Sequence, residues 1–212
     1  MTVHRTILTS LAILSLLVRP AATAKAPDAE GFLQRWMILE PIRVAGQLTD
    51  NAVQTLVKTA HFPDQFTVVP RDGDSVKVGD ANLAWHTVDT ARYNVNLYHF
   101  AYGLKKPTSN VLFWIVTVVE SRREMSGVRL AIGSNAASVW WVNGAEVIGI
   151  YNDRQTVIDD GVSKRLTLKK GQNVVRAAVV NAGGATDFCA RFLDGDDKPI
   201  RRVTVSLPAP SP

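Results

Sequence analysis

The chain has 212 residues, with 24 Lys and Arg against 19 Asp and Glu, and one cysteine, Cys189. A lone cysteine excludes an intrachain disulfide, so packing must supply the stability. The basic excess is small and spread along the sequence, and it lacks the clustered stripe by which a nucleic-acid binder is read.

At the start, His4 and Arg5 precede a mostly apolar run from Ile7 to Val18, followed by Pro20 and a small-x-small pattern, Ala22-Thr23-Ala24. This predicts a signal peptide over residues 1–24 and a secreted or periplasmic protein. The apolar run is shorter than the roughly 20 residues that span a bilayer, and no later segment is longer, so no membrane span is expected after cleavage. Removing Arg5 and Arg19 leaves 22 basic residues against 19 acidic ones, a net +3. The remaining chain, roughly 188 residues, is long enough for one domain with a sound core.

Residues 25–31 are small and polar and read as a flexible lead-in. Phe32 to Leu39 predicts a first strand, ended by Pro41. Thr49 or Asp50 caps a short helix reaching about Ala60, because Val53, Leu56, Val57 and Ala60 recur at helical spacing. Phe66 to Val69 reads as a strand, Arg71-Asp72-Gly73-Asp74 as a turn, and Leu83 to Val88 as a strand containing Trp85. From Tyr93 to Tyr102, Tyr93, Val95, Leu97 and His99 alternate with Asn94, Asn96 and Tyr98, which predicts another strand. Asn110 to Glu120 is apolar on both faces, as befits a central strand covered on both sides.

The stretch from Val128 to Asn181 organises the rest. Asn143-Gly144 between apolar segments is the strongest short-range signal for a hairpin, and Lys169-Lys170-Gly171 marks a second turn. Val128, Leu130 and Ile132 alternate with polar or small residues, as do Leu166 and Leu168. Thr186 to Leu193 gives a further strand, Asp194-Gly195-Asp196-Asp197 an acidic turn, and Ile200 to Leu207 the last strand. The Pro-rich residues 208–212 cannot join a sheet and read as a disordered tail. About ten short strands at turn-punctuated spacing predict an all-β fold, a single jelly-roll-like β-sandwich over residues 32–207 with one short helix near its N-terminal side. The expected core is Trp36, Trp85, Phe113, Ile115, Leu130, Ile132, Trp141, Leu166, Leu168, Val175 and Phe192.

Gly133-Ser134-Asn135, then Val139-Trp140-Trp141-Val142-Asn143-Gly144, then Leu166-Thr167-Leu168-Lys169-Lys170-Gly171-Gln172-Asn173, then Phe188 to Asp194 follow one another in an order that resembles the galactose-binding-like β-sandwich modules of secreted bacterial carbohydrate-active proteins. The resemblance implies the same fold and a carbohydrate-binding role. It also puts Trp141, two residues before Asn143-Gly144, at the family's recurrent core position, with Trp140 facing the other way. The family's acidic pair after Gly-Ser is Asn135-Ala136 here, so no ligand or metal role transfers from it.

Catalytic signals are missing. There is no Gly-x-Ser-x-Gly elbow around Ser134, and His61, His86 and His99 lack metal-ligand spacing. Gly183-Gly184 leads into no phosphate-binding pattern. Asp72, Asp74, Asp194, Asp196 and Asp197 read as turn carboxylates, and Asp159-Asp160 has no identifiable acid–base partner. No catalytic residue, metal or cofactor is therefore expected. Sugar recognition asks for a flat ring and for amide, carboxylate or guanidinium groups. The loop Tyr151, Asn152, Asp153, Arg154 and Gln155, together with Trp140, offers these as a ligand site, although Arg154 has Asp159 or Asp160 as an alternative, structural partner. The expected ligand is a glycan or another cell-envelope component. A structural or protein-interaction module of the same fold is the alternative, with a protein partner, and an accessory part of an esterase or glycosidase system is a third reading.

Overall fold

The computed structural model describes residues 24–44, 49–135, 137–152 and 154–208; the predicted signal peptide up to residue 23, the candidate site residue Asp153 and residues 209–212 of the predicted tail lie outside them. The chain begins with β1 (Arg35–Leu39), β2 (Ile42–Arg43), α1 (Asp50–Lys58), β3 (Ser75–Val78), β4 (Ala81–Asp89), β5 (Val95–Asn96) and α2 (Leu97–Gly103). It continues with β6 (Val111–Ser121), β7 (Met125–Asn135), β8 (Ala137–Val142), β9 (Ala145–Ile150), β10 (Gly161–Val162) and β11 (Leu166–Leu168). The last elements are β12 (Gly171–Asn181), β13 (Asp187–Leu193) and β14 (Val203–Val205). Two antiparallel sheets result. The nine-stranded sheet runs β3-β4-β1-β6-β12-β8-β9, with β2 and β14 also on β6; the five-stranded sheet runs β10-β7-β13-β5, with β11 on β7. The fold is an all-β sandwich.

β6 is the axis. Its apolar residues on both faces are buried because each face meets a different layer. Ile115 is in register with Ala177 and Ala177 with Trp140, so all three share the face toward the small sheet, where Trp140 meets Phe188 of β13. Trp114 points the opposite way and is covered by Phe62 and Phe66 from the segment after α1. α1 starts as its sequence predicts, with the Thr49 side chain accepting the Ala52 N–H, and it buries Val53 and Val57. The hairpin between β8 and β9 also forms as predicted: Val142 pairs with Ala145 across Asn143 and Gly144, both at positive φ.

Four expectations need correction. Phe66 to Val69 is a turn segment, held by the Asp64 carbonyl accepting the N–H groups of Thr67 and Val68; its apolar Phe66 serves as a lid on Trp114. Tyr93 to Tyr102 gives only the two-residue β5 before α2, a second helix. The Asn96 side chain caps it by accepting the His99 N–H at 2.7 Å, and Leu97 and Ala101, one turn apart, form its buried side. The lead-in is ordered: Lys25 exchanges backbone hydrogen bonds with Val205, and Asp28 Oδ1 accepts from the Glu30 and Phe32 amides. Of the predicted core, Leu166 is only partly buried, whereas the others are buried. Among the described residues no helix is long and apolar enough to cross a membrane.

Candidate functional site

The loop after β9 does not open into a cradle. Tyr151 folds back onto the strand it leaves: a Cβ at Gly149 would lie 2.6 Å from the Tyr151 hydroxyl, so glycine there makes room for the ring. The hydroxyl donates to Glu146 Oε1 at 3.4 Å, and burial together with the Glu146 carboxylate raises the phenol above its ordinary pKa. Asn152 is exposed. Arg154 closes the loop on itself through an ion pair with Asp160. Further on, Thr156 bonds Asp187, whose other oxygen accepts from Asn94 Nδ2 at 2.6 Å. Asp159 pairs with Arg191, which also donates to the Glu30 carbonyl at 2.9 Å and lies 4.8 Å over the Phe32 ring. Both carboxylates of Asp159-Asp160 are thus engaged in holding the loop across the outer face of the small sheet. The Val157 carbonyl passes so close to Gly133 that an added Cβ would meet it at 2.3 Å. Beneath this crossing lies Cys189, whose thiol is pushed up to about 12, chiefly by burial.

Trp140 is not at the surface. It is fully buried between the sheets, its Nε1 donates to Ser138 Oγ at 3.0 Å, and its ring is edge-on to Trp36 and Phe188. Trp141 does face the other way, but there it stacks on Trp114 at 5.6 Å beneath Phe66. The alternation rule places the two rings on opposite faces; the covering segment after α1 makes both faces interior, so Trp140 offers nothing to a ligand. Of the described members of the proposed set, Tyr151 is tied to Glu146, Arg154 to Asp160 and Trp140 to the core, while Asn152 is exposed.

The structure assembles a different constellation at the far end of β6. Ser121 ends the strand, and its Oγ donates to the Arg123 carbonyl at 2.6 Å, setting the turn Arg122-Arg123-Glu124 into β7. β14 lies antiparallel on this end of β6, with Val203 in register with Ser121, so the preceding Arg201-Arg202 arrives beside Arg122-Arg123. The result is a cleft of about 410 Å³ walled by Met125, Val203 and Ala26 and rimmed by the four arginines. Among the described residues no side-chain hydrogen bond or close ion pair engages the four guanidinium groups; Asp194, which caps its own turn by accepting the Lys198 and Asp196 amides, is near enough to Arg202 for that charge to help lower its pKa. Arginine presents a planar fork of donors matched to carboxylate, sulfate or phosphate, and four of them around a partly apolar cleft favour an anionic occupant. Sequence reading missed this site. Its signal is two Arg-Arg dipeptides, unremarkable separately and joined only by the β14–β6 pairing.

Other polar residues have structural work. Glu40 is buried, and although burial works to raise its pKa, Lys106 Nζ at 2.9 Å, the Ala84 amide and His86 hold it below the ordinary carboxylate value. His61 bonds the Leu56 carbonyl at 3.0 Å. Among the described residues no group of three or more His, Cys, Asp and Glu side chains is placed to hold a metal ion.

No protein-family model matches the chain, and no curated protein matches it in sequence. Among solved structures it is similar to the PA14 domain of the MpAFP antifreeze protein, at 12% identity and a TM-score of 0.47 over 90% of this chain and 98% of that one. It is also similar to an anti-sigma factor domain-containing protein, at 9% identity and a TM-score of 0.45 over 59% of this chain; the match takes in 42% of that protein. A third likeness, at 10% identity and a TM-score of 0.43 over 89% of this chain and 95% of that one, is to the epithelial adhesin 9 A domain of Candida glabrata, solved in complex with Galb1-3GlcNAc.

Proposed function

We propose that this chain is an exported, non-catalytic β-sandwich module that binds a carbohydrate of the cell envelope, and that the sugar carries acidic groups held in the arginine-rimmed cleft. The observation that carries this reading is the convergence of Arg122, Arg123, Arg201 and Arg202, none in a close ion pair with a described residue, around a cleft of about 410 Å³. Like charges held this close repel until an anion lies between them, and the forked donors then bind it bidentately. Met125 and Val203 supply an apolar wall for the C–H faces of a sugar ring. The non-catalytic part of the reading is supported by the fate of the candidate acid–base pair, since Asp159 and Asp160 are each tied to an arginine. Tyr151 and Asn152 are not part of this site: they follow Ile150, which aligns through Ser138 and Val179 with Phe113, eight residues along β6 from Ser121, or about 25 Å.

The test is calorimetric binding of polygalacturonate and of neutral dextran to the wild type and to an Arg122→Ala/Arg201→Ala variant. The wild type should bind the acidic polymer more tightly at low salt, and the variant, with an unchanged Tm, should lose about tenfold in affinity or more per arginine. Equal binding of dextran, or an unaffected variant, refutes the site. A protein-interaction module is the second reading, favoured by the exposed Val157, Ile158 and Val162 at the edge strand β10, and it is the one that stands if no polysaccharide binds.

A further inference from the structure

The outer face of the nine-stranded sheet holds a second cavity, unrelated to the arginine-rimmed cleft. Arg176 of β12 lies in register between Val116 of β6 and Trp141 of β8, so its side chain runs along the face covered by the segment after α1. It is 3% exposed, forms no hydrogen bond or ion pair with a described residue, and its Nη1 is fully buried without an acceptor. The same side chain lines a cavity of about 220 Å³ with Phe66, Thr67, Asn143, Gly144 and Val174.

The other polar side chains of this lining are already occupied. Asn143 donates to Asn173 Oδ1 at 2.9 Å and accepts the Val174 amide at 3.0 Å, and the Thr67 hydroxyl donates to the Asp64 carbonyl at 3.3 Å. No carboxylate is among the lining residues. Burial pushes the Arg176 pKa down to about 10, which still leaves it cationic at neutral pH. A buried cation with no counter-charge is among the least favourable arrangements a protein can hold, because desolvation is offset by nothing. Water fits the space and accepts hydrogen bonds, but it does not neutralise the charge. At about 220 Å³, against roughly 30 Å³ for one water in the liquid, the cavity is also larger than a single solvent molecule needs.

We propose that this cavity is an anion site, in which Arg176 pairs with the carboxylate or phosphate group of a small ligand while Phe66 and Val174 pack against the ligand's body. The proposal does not depend on the glycan reading, and the two fail separately.

The experiment uses the full chain as wild type, Arg176→Met and Arg122→Ala/Arg201→Ala, with inorganic phosphate and acetate titrated against chloride at constant ionic strength. At least one of the two anions should raise the wild-type Tm saturably, by about 5–10 °C at a hundredfold excess over Kd. The double variant should keep that shift and Arg176→Met should lose it, while melting no lower than the wild type without added anion. Tryptophan emission of the wild type, followed in the same titration, should change with the same Kd, because Trp141 adjoins Arg176; this readout stands even if Arg176→Met folds poorly. Equal Tm shifts in wild type and Arg176→Met, or neither a shift nor an emission change in the wild type with either anion, overturns the site. Preference for phosphate over acetate, or the reverse, tells which acid group it is built for.

Discussion

Replacing Trp140 and Trp141 separately by alanine is the sharpest test of the layer arrangement, since the two rings are neighbours in sequence and sit in different interiors. Trp140 is fully buried between the sheets, with Trp36 at 6.1 Å and Phe188 at 5.5 Å edge-on to it and Ser138 accepting its Nε1 proton. Truncating a core Trp to Ala costs about 3–5 kcal/mol, and the loss of two edge-to-face contacts at about 0.5–1.5 kcal/mol each puts Trp140→Ala at the upper end. Trp141 is 8% exposed and lies under Phe66, itself 39% exposed on a turn segment that can settle into the space, so Trp141→Ala belongs at the lower end, about 3 kcal/mol. At about 2–4 °C per kcal/mol for a chain of this size, Trp140→Ala should melt roughly 10–20 °C below wild type and about 4–8 °C below Trp141→Ala. Thermal melts by circular dichroism, with urea titrations to confirm equal m-values, read this directly. A larger loss for Trp141→Ala refutes the argument, because the outer cover would then carry more stability than the space between the sheets.

Gly133→Ala should force the Val157 crossing outward, at about 1–3 kcal/mol, and expose Cys189 to iodoacetamide at pH 8, where the wild type is unreactive; wild-type labelling should begin only as pH approaches about 12. The thiol's folded pKa lies above its unfolded value, so this group favours the native state below about pH 9 and that contribution is lost as pH climbs toward 12; a melt series over that range that leaves Tm flat, or equal labelling of both proteins, contradicts the account. Arg154→Ala should cost under about 1 kcal/mol, as for other surface pairs, whereas Arg191→Ala, which removes the Asp159 pair, the Glu30 carbonyl bond and the contact over Phe32, should cost about 2–3 kcal/mol. Chemical denaturation of both variants measures the difference, and a reversed order would show that the loop is anchored at its other end.

Much of the sandwich is legible locally. The doubly apolar run of β6 and the Asn143-Gly144 turn state their roles within a few residues, because burial on two faces and a positive-φ hairpin each demand particular side chains. The α2 segment is different: Leu97 and His99 satisfy a two-residue period while Leu97 and Ala101 satisfy a helical one, and the Asn96 cap and the neighbouring layers decide between them. Phe66 is apolar to cover Trp114, a partner that no local pattern identifies. The loop after β9 was legible as polar but not as bound, since Arg154 with an internal carboxylate and Arg154 with a ligand have the same composition. The arginine-rimmed cleft is the extreme case, as it exists only once β14 is laid on β6.

All five tryptophans are less than 9% exposed: Trp36, Trp85 and Trp114 with Trp140 and Trp141. Their emission should accordingly be blue-shifted and poorly quenched by iodide, and the Trp114–Trp141 stack, with planes 24° apart, should give an exciton signature in the circular dichroism. That optical layout divides the molecule. A polysaccharide settling among Arg122, Arg123, Arg201 and Arg202 touches no indole and would be silent by fluorescence, so that cleft must be followed by heat or mass. The space beside Arg176, by contrast, adjoins the indole of Trp141, and the protein carries its own chromophore there.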